Sequence, residues 1–235
     1  MNERNNIIRL NEVPVNELYS HPLAKAFLSK VYAWMAVSMA VTAGVAVYAA
    51  SHQELLVWSM EHSLWICLGT LGVILLMFFC SGILTAGALG VLLLAYAGLT
   101  GLLFGPLMLI YTSQSLGTTF ACTAGTFGAM SLYGAFTKRD LSPWRRALMM
   151  GLIGLIIALI VNLFWGNGTL DLIISAVGVI IFTLLTAYDT QKILREGLVL
   201  NGEERSKGAI FGALSLYLDF INLFLYLLRF LGDRK

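Results

Sequence analysis

The chain has 235 residues, of which 58% are hydrophobic and only 12% are charged, and its formal net charge is +2. An ordinary soluble domain carries about 25% charged residues, which cover its surface. The composition therefore leaves no room for a soluble catalytic domain and indicates a protein surrounded by lipid, while the small net charge excludes a nucleic-acid partner.

Seven apolar segments follow one another along the chain. A transmembrane helix needs about 20 mostly apolar residues, and a backbone in hydrocarbon must satisfy its own hydrogen bonds, so each segment should be helical. The predicted spans are 26–50, 64–80, 83–107, 116–136, 146–165, 170–193 and 209–231. We predict an all-α membrane protein with a cytoplasmic N-terminal segment at 1–22 and a single seven-helix transmembrane domain at 23–235.

Lysine and arginine are concentrated on one side of this predicted topology. The connections near 51–63, 108–115 and 166–169 carry none of them. The basic residues of the other side are Arg4, Arg9, Lys25, Lys30, Lys138, Arg139, Arg145, Arg146, Lys192, Arg195, Arg205 and Lys207. The positive-inside rule places that side, with the N-terminus, in the cytoplasm. Arg229, Arg234 and Lys235 would lie outside if the last segment spans fully, and inside if it re-enters.

Small residues recur at helical spacing in the third and fourth segments. The stripes are Gly87, Gly90, Gly98, Gly101 and Gly105, and Gly117, Ala121, Gly125 and Gly128. Small residues allow helix backbones to approach closely in lipid, so these stripes predict helix-packing surfaces rather than a pore lining.

Two acidic residues fall deep inside predicted spans. Asp189 lies late in the sixth segment and Asp219 lies near the middle of the seventh. A charge at the centre of a span costs about 2.5–3.5 kcal/mol even on the lenient insertion scale, so such residues face the bundle interior and mark a functional site. The alternative is a protonated aspartate that donates one interhelical hydrogen bond.

The two carboxylates have polar neighbours that could line an ion pathway. Candidates at helical spacing around them, or on the fifth segment, are Asn162, Thr186, Tyr188, Ser215, Asn222 and Tyr226. Two unit charges about 4 Å apart at an effective dielectric constant of about 20 repel by about 4 kcal/mol. If they lie close together, Asp189 and Asp219 should therefore share one proton and titrate as a unit. With neighbouring oxygens, the same pair could form a weak transit site for a hard cation such as Ca²⁺.

Two motifs at these residues are similar to those of the Bax-inhibitor family, also called the lifeguard or TMBIM family. They are Thr-Ala-Tyr-Asp-Thr-Gln at 186–191 and Ser-Leu-Tyr-Leu-Asp-Phe-Ile-Asn-Leu-Phe at 215–224. The resemblance covers nearly the whole chain. It implies three helical hairpins around a central seventh helix and a pH-sensitive calcium leak in which Asp189 and Asp219 are the proton sensor and gate.

Further expectations concern the partners and the location. The partners are the lipid bilayer, calcium ions, protons and other membrane proteins; no cofactor and no enzymatic activity are expected, and the membrane is predicted to be a bacterial inner membrane. The chain departs from the family at one point. Some members carry an acidic residue and an arginine in the second span, but 64–80 has no charged residue, and Arg229 lies about 15 Å along the helix from Asp219.

Two other functions remain open at this stage. The first is a regulatory membrane protein without transport, such as a modulator of a membrane protease or a stress-response partner. Such a protein would bind its partner through the polar N-terminal tail. The second is an intramembrane aspartic protease, in which two carboxylates share a proton and activate water. The protease motif Gly-x-Gly-Asp is replaced here by Leu-Tyr-Leu-Asp at 216–219.

Overall fold

The computed structural model describes residues 18–166, 168–233 and 235, and most of them are helical. Residues 1–17 of the predicted N-terminal segment, with Arg4 and Arg9, lie outside the described residues, as does Arg234. The helices in chain order are α1 (Pro22–Ser51), α2 (Gln53–Glu61), α3 (Ser63–Phe79), α4 (Ala86–Phe104), α5 (Leu107–Ile110), α6 (Ser113–Phe136), α7 (Trp144–Trp165), α8 (Gly168–Val199) and α9 (Gly202–Leu231).

The predicted all-α membrane fold is confirmed, and a helix occurs at each predicted span. Within the described residues, five stretches are long and apolar enough to cross a membrane: α1, Ala86–Ile110, α7, α8 and α9. Helices α2 and α3 are long and apolar enough to cross a membrane only when they are taken together, as a pair with a bend of 75° between them. Helix α6 does not meet this criterion because serine, threonine and glycine lower its hydropathy. The count of seven spans is therefore not confirmed, and the arrangement around a central seventh helix stays a prediction.

Helices extend beyond the apolar segments at two places. The connection predicted at 51–63 contains α2, a helix too polar to be recognised as a span, on which Leu56 and Ser59 are buried. Helix α8 continues to Val199 and α9 begins at Gly202, so most of the connection predicted near 192–208 is helical. Hydropathy marks where lipid begins and ends, whereas a helix continues as long as its backbone hydrogen bonds are favourable.

The chain divides into two compact units. Of the described residues, those within Met1–Leu28, Gln114–Val199 and Leu218–Gly232 form unit 1, and those within Ser29–Ser113, Leu200–Tyr217 and Asp233–Lys235 form unit 2. Helices α1 and α9 each contribute residues to both units.

Unit 2 is held by close packing of α4 on α1. A Cβ atom at Gly90 would lie 2.7 Å from the Trp34 ring, and one at Gly101 would lie 2.7 Å from the carbonyl oxygen of Thr42. The buried Thr42 Oγ1 lies 2.7 Å from the Tyr217 hydroxyl and 2.9 Å from the carbonyl oxygen of Ala97. Gly90, Gly101 and Gly105 of the stripe in the third segment therefore lie at a packing surface, as predicted, whereas no described atom lies within 4 Å of a Cβ built at Gly98.

The stripe predicted on the fourth segment does not pack in this way. In the described chain, nothing lies within 4 Å of a Cβ built at Gly117, Gly125 or Gly128. The close contact of α6 is made instead by Gly134, one helical turn after Ser131. The prediction for these glycines was wrong because small residues permit close packing but do not determine which face meets a partner.

Candidate functional site

Asp189 on α8 and Asp219 on α9 both belong to unit 1, and both are buried. Their exposed fractions are 9% and 4%, so neither side chain is turned outward to lipid. Asp189 and Lys192 are the charged groups that act electrostatically on Asp219. Within the part of the chain that the structure describes, Oδ2 of Asp219 has no hydrogen-bond partner. The fold thus brings the two predicted acids into electrostatic range and leaves one buried carboxyl oxygen available to a proton or a cation.

The position of Asp189 is set by close contact between α6 and α8. A Cβ atom at Gly134 would collide with the backbone of Ala187, two residues before Asp189. One turn earlier on α6, Ser131 Oγ lies 2.9 Å from Thr190 Oγ1, and Thr190 also bonds the Thr186 carbonyl oxygen at 2.8 Å. The close approach of the two backbones at Gly134 and the side-chain hydrogen bond between Ser131 and Thr190 together hold the α8 turn that carries Asp189 against α6.

Gln191 joins the same turn to the loop between α6 and α7. Its Oε1 accepts a hydrogen bond from the Leu141 N–H at 2.8 Å, and its Nε2 donates to the Arg139 carbonyl oxygen at 3.0 Å. Gln191 is 2% exposed and Leu141 is fully buried, so the bond between them satisfies polar groups that water does not reach. Sequence reasoning missed this role, although Gln191 closes the motif on which the resemblance rests.

A surface ion pair reinforces this loop. Arg195 Nη2 on α8 donates to Asp140 Oδ1 at 2.8 Å, and the Ser142 N–H donates to the same oxygen at 2.9 Å. The backbone bond from Ser142 is the main cause that lowers the pKa of Asp140 below its usual value, and the Arg195 charge adds to it. The carboxylate of Asp140 is therefore favoured in its ionised form, away from the buried pair.

Aromatic packing joins α8 to the part of α9 that lies in unit 1. The Tyr226 ring covers Gly178, where a Cβ atom would approach it to 2.7 Å, and it stacks on Phe182 with 5.8 Å between centroids. The Phe220 ring, next to Asp219, makes edge contacts with Phe120 and Phe127 of α6. These rings enclose the α9 turn that carries Asp219 in apolar material.

The predicted lining residues occupy different environments. Thr186 is fully buried on the Asp189 face of α8, and its hydroxyl donates to the Phe182 carbonyl oxygen. Tyr188 and Asn222 are half-buried, and Asn222 donates to the Leu218 carbonyl oxygen. Tyr226 is buried in the packing just described. Asn162 is half-buried on α7, and Ser215 is half-buried in unit 2.

Two charged residues near the acids were not singled out from the sequence. Lys192 lies one turn after Asp189 and pairs with Glu196 at 3.6 Å, while also acting on Asp219. The sequence did contain a signal for these residues, because the spacing of Asp189, Lys192 and Glu196 places them on one face of a helix. Arg229, by contrast, pairs with Asp171 at 3.6 Å.

The donor set limits the kind of metal site that is possible. Among the residues described, no group of three or more histidine, cysteine, aspartate or glutamate side chains could hold a metal ion. Two carboxylates could supply oxygen ligands to a hard cation, with water and neutral oxygens completing its shell.

A family model described as "Inhibitor of apoptosis-promoting Bax1" matches residues 24–235. The chain belongs to the Bax-inhibitor family. The inner membrane protein YbhL of Escherichia coli (strain K12) is 42% identical over 217 residues, which cover 90% of this chain and 93% of that protein. Uncharacterized proteins of Deinococcus radiodurans and Rickettsia prowazekii are each 41% identical; the matches cover 89% and 90% of this chain and 91% of each relative. The Bax-inhibitor resemblance predicted from the two motifs is confirmed, and the chain is a multi-pass membrane protein.

Proposed function

We propose that this Bax-inhibitor family member is a pH-sensitive calcium leak whose gate is the pair Asp189 and Asp219. The observation that carries the proposal is that two carboxyl groups on different helices are both buried and act on one another electrostatically. A membrane protein retains such groups at a considerable cost in insertion free energy, and this cost favours a role in moving ions or protons.

The chemistry of the pair suggests how the gate works. Two buried like charges in electrostatic range repel, so one proton held between them stabilises the closed packing of α8 and α9. Loss of that proton leaves two negative charges that either separate or recruit a cation. Because Oδ2 of Asp219 has no hydrogen-bond partner in the described chain, it is free to receive that proton or that cation.

A hard cation is the ion that this donor set suits best. Calcium takes six to eight oxygen ligands in a flexible shell, and the carboxylates, with oxygens of residues such as Thr186 and Asn222 and with water, offer oxygen alone. We propose that the other candidate lining residues of unit 1, Tyr188, Tyr226 and Asn162, contribute polar groups along the path.

The location that we propose is a bacterial inner membrane with the N-terminus in the cytoplasm. An inner-membrane relative at 42% identity supports the membrane, and the distribution of basic residues supports the orientation.

The decisive experiment measures calcium entry into liposomes containing the full-length protein, from about pH 6 to about pH 8, the range in which a proton-sharing pair can titrate. We expect a pH-dependent flux in the wild type. In Asp219→Asn and Asp189→Asn the pair can no longer share a titrating proton, so the flux should lose its pH dependence.

The matched control is Asp140→Asn, which makes the same chemical change at a half-exposed loop carboxylate. It should keep the wild-type pH profile. Retention of the full pH dependence in both buried variants would refute the dyad as the sensor. A folded wild-type protein that passes no calcium, sodium or protons at any pH would instead favour the regulatory membrane protein considered above.

A further inference from the structure

The start of α7 carries a groove that combines basic and apolar walls. The groove has a volume of about 630 Å³ and is lined by Ser142, Pro143, Arg145, Arg146, Met149, Met150 and Ile153. All of these residues belong to unit 1, and none is acidic. The groove contains neither Asp189 nor Asp219, so an inference about it is independent of the proposed leak.

The polar end of this α7 groove is strongly basic. Arg145 and Arg146 are both exposed, and within the described residues neither guanidinium has an ion-pair partner. The nearby carboxylate of Asp140 is already paired with Arg195 at 2.8 Å. Arginine side chains present a planar set of donors that matches the oxygens of a phosphate group, and two adjacent ones favour a ligand of negative charge.

The other end of the groove is apolar and continues along the same helix. Met149 and Ile153 follow Arg145 at steps of four residues, and Met150 follows Arg146 in the same way, so that they share a helical face. Their side chains are exposed. From Arg145 to Ile153 the helix rises about 12 Å, which is close to the depth of one hydrocarbon leaflet.

The composition and the exposure of α7 indicate that lipid covers this face of the helix. Among the candidate spans, α7 is the most apolar, and only 11% of its most apolar part is buried within the described chain. A helix with this composition is stable only if lipid or another apolar surface covers it. A ligand in the groove would therefore meet arginines at the membrane surface and methionine and isoleucine side chains below it.

We infer that the α7 groove binds an anionic phospholipid, with the headgroup phosphate on Arg145 and Arg146 and one acyl chain along Met149, Met150 and Ile153. Methionine side chains are flexible and polarisable, which suits them to an acyl chain that has no fixed shape. Predicted on the cytoplasmic side, the groove faces the leaflet whose anionic lipids attract basic juxtamembrane residues.

The test uses the full-length protein in a neutral detergent, with lipid retention measured by native mass spectrometry. Phosphatidylglycerol should be retained, and phosphatidylcholine with the same acyl chains should not. The double variant Arg145→Gln/Arg146→Gln should bind phosphatidylglycerol about 30-fold more weakly than the wild type, since two basic contacts are lost. Longer acyl chains should increase retention because more methylene groups are buried.

The matched control is Lys138→Gln/Arg139→Gln. It removes the same charge from exposed residues of the preceding loop that do not line the groove, and its affinity should stay within about threefold of the wild type. Equal losses in the two double variants, or equal retention of phosphatidylcholine, would overturn the inference. Displacement of phosphatidylglycerol by an equal concentration of inorganic phosphate would show a free-anion site and would overturn the lipid assignment.

Discussion

Replacement of Gly134 by alanine tests how tightly α6 holds the turn of α8 that carries Asp189. The added Cβ atom would lie 2.9 Å from the Cα and carbonyl carbon of Ala187 and closer still to its carbonyl oxygen. These atoms are backbone, so no side chain can rotate away, and the helices must separate. Overpacking of this kind costs about 1–3 kcal/mol.

Two further contributions to the free energy of unfolding decide the net effect of Gly134→Ala. Separation of the helices would weaken the Ser131–Thr190 hydrogen bond, which is worth about 1 kcal/mol. Alanine stabilises a helix relative to glycine by about 0.5–1 kcal/mol, which partly offsets these losses. We therefore expect Gly134→Ala to lower the free energy of unfolding by about 2 kcal/mol.

The assay is equilibrium unfolding of the purified protein in mixed micelles, with Gly128→Ala as the control on the same helix. No described atom lies within 4 Å of a Cβ built at Gly128, so alanine there should be neutral or stabilising by up to about 1 kcal/mol. If Gly134→Ala proves as stable as Gly128→Ala, the close approach of α6 to α8 is wrong.

Three other predictions follow from the packing of unit 1. Gln191→Ala leaves the buried Leu141 N–H without its acceptor and should cost about 1–3 kcal/mol of unfolding free energy in the same assay. Gln191→Glu keeps that acceptor but should also be destabilising, because it buries a carboxylate and loses the donor to the Arg139 carbonyl oxygen. The lowered pKa of Asp140 means that its carboxylate stabilises the fold above its unfolded pKa of about 3.9. That contribution is at most about 1 kcal/mol for a half-exposed pair, and it should disappear as the pH falls through the pKa of Asp140 in the folded protein. Asp140→Asn should abolish this part of the acid dependence of the melting temperature. Tyr226→Phe should keep the stacking on Phe182 and the wild-type stability, so a fall in calcium flux in that variant would assign its hydroxyl to the pathway, and an unchanged flux would restrict Tyr226 to packing.

Much of the architecture could be predicted from local composition. Each predicted span coincides with a helix, because a long apolar segment in lipid has no other way to satisfy its backbone. The two buried acids could also be found in this way, since an aspartate within an apolar segment is unfavourable unless it is turned inward. The family resemblance came instead from the motifs at 186–191 and 215–224. Helix ends were predicted less well, and α2 was missed, because polar residues beyond the lipid give no hydropathy signal.

The sequence by itself determined that the chain is helical, lies in a membrane and carries Asp189 and Asp219 within its spans. Only the tertiary structure decided that Gly134 rather than Gly125 contacts a neighbouring helix, that Gln191 holds the loop at Leu141, and that Lys192 acts on Asp219. The physical reason is the separation along the sequence of the residues that are in contact. Hydropathy and helical spacing are properties of a few consecutive residues, whereas these contacts join positions about 50 residues apart on α6, its following loop and α8, or 27 to 30 residues apart on α8 and α9, and they depend on how whole helices pack.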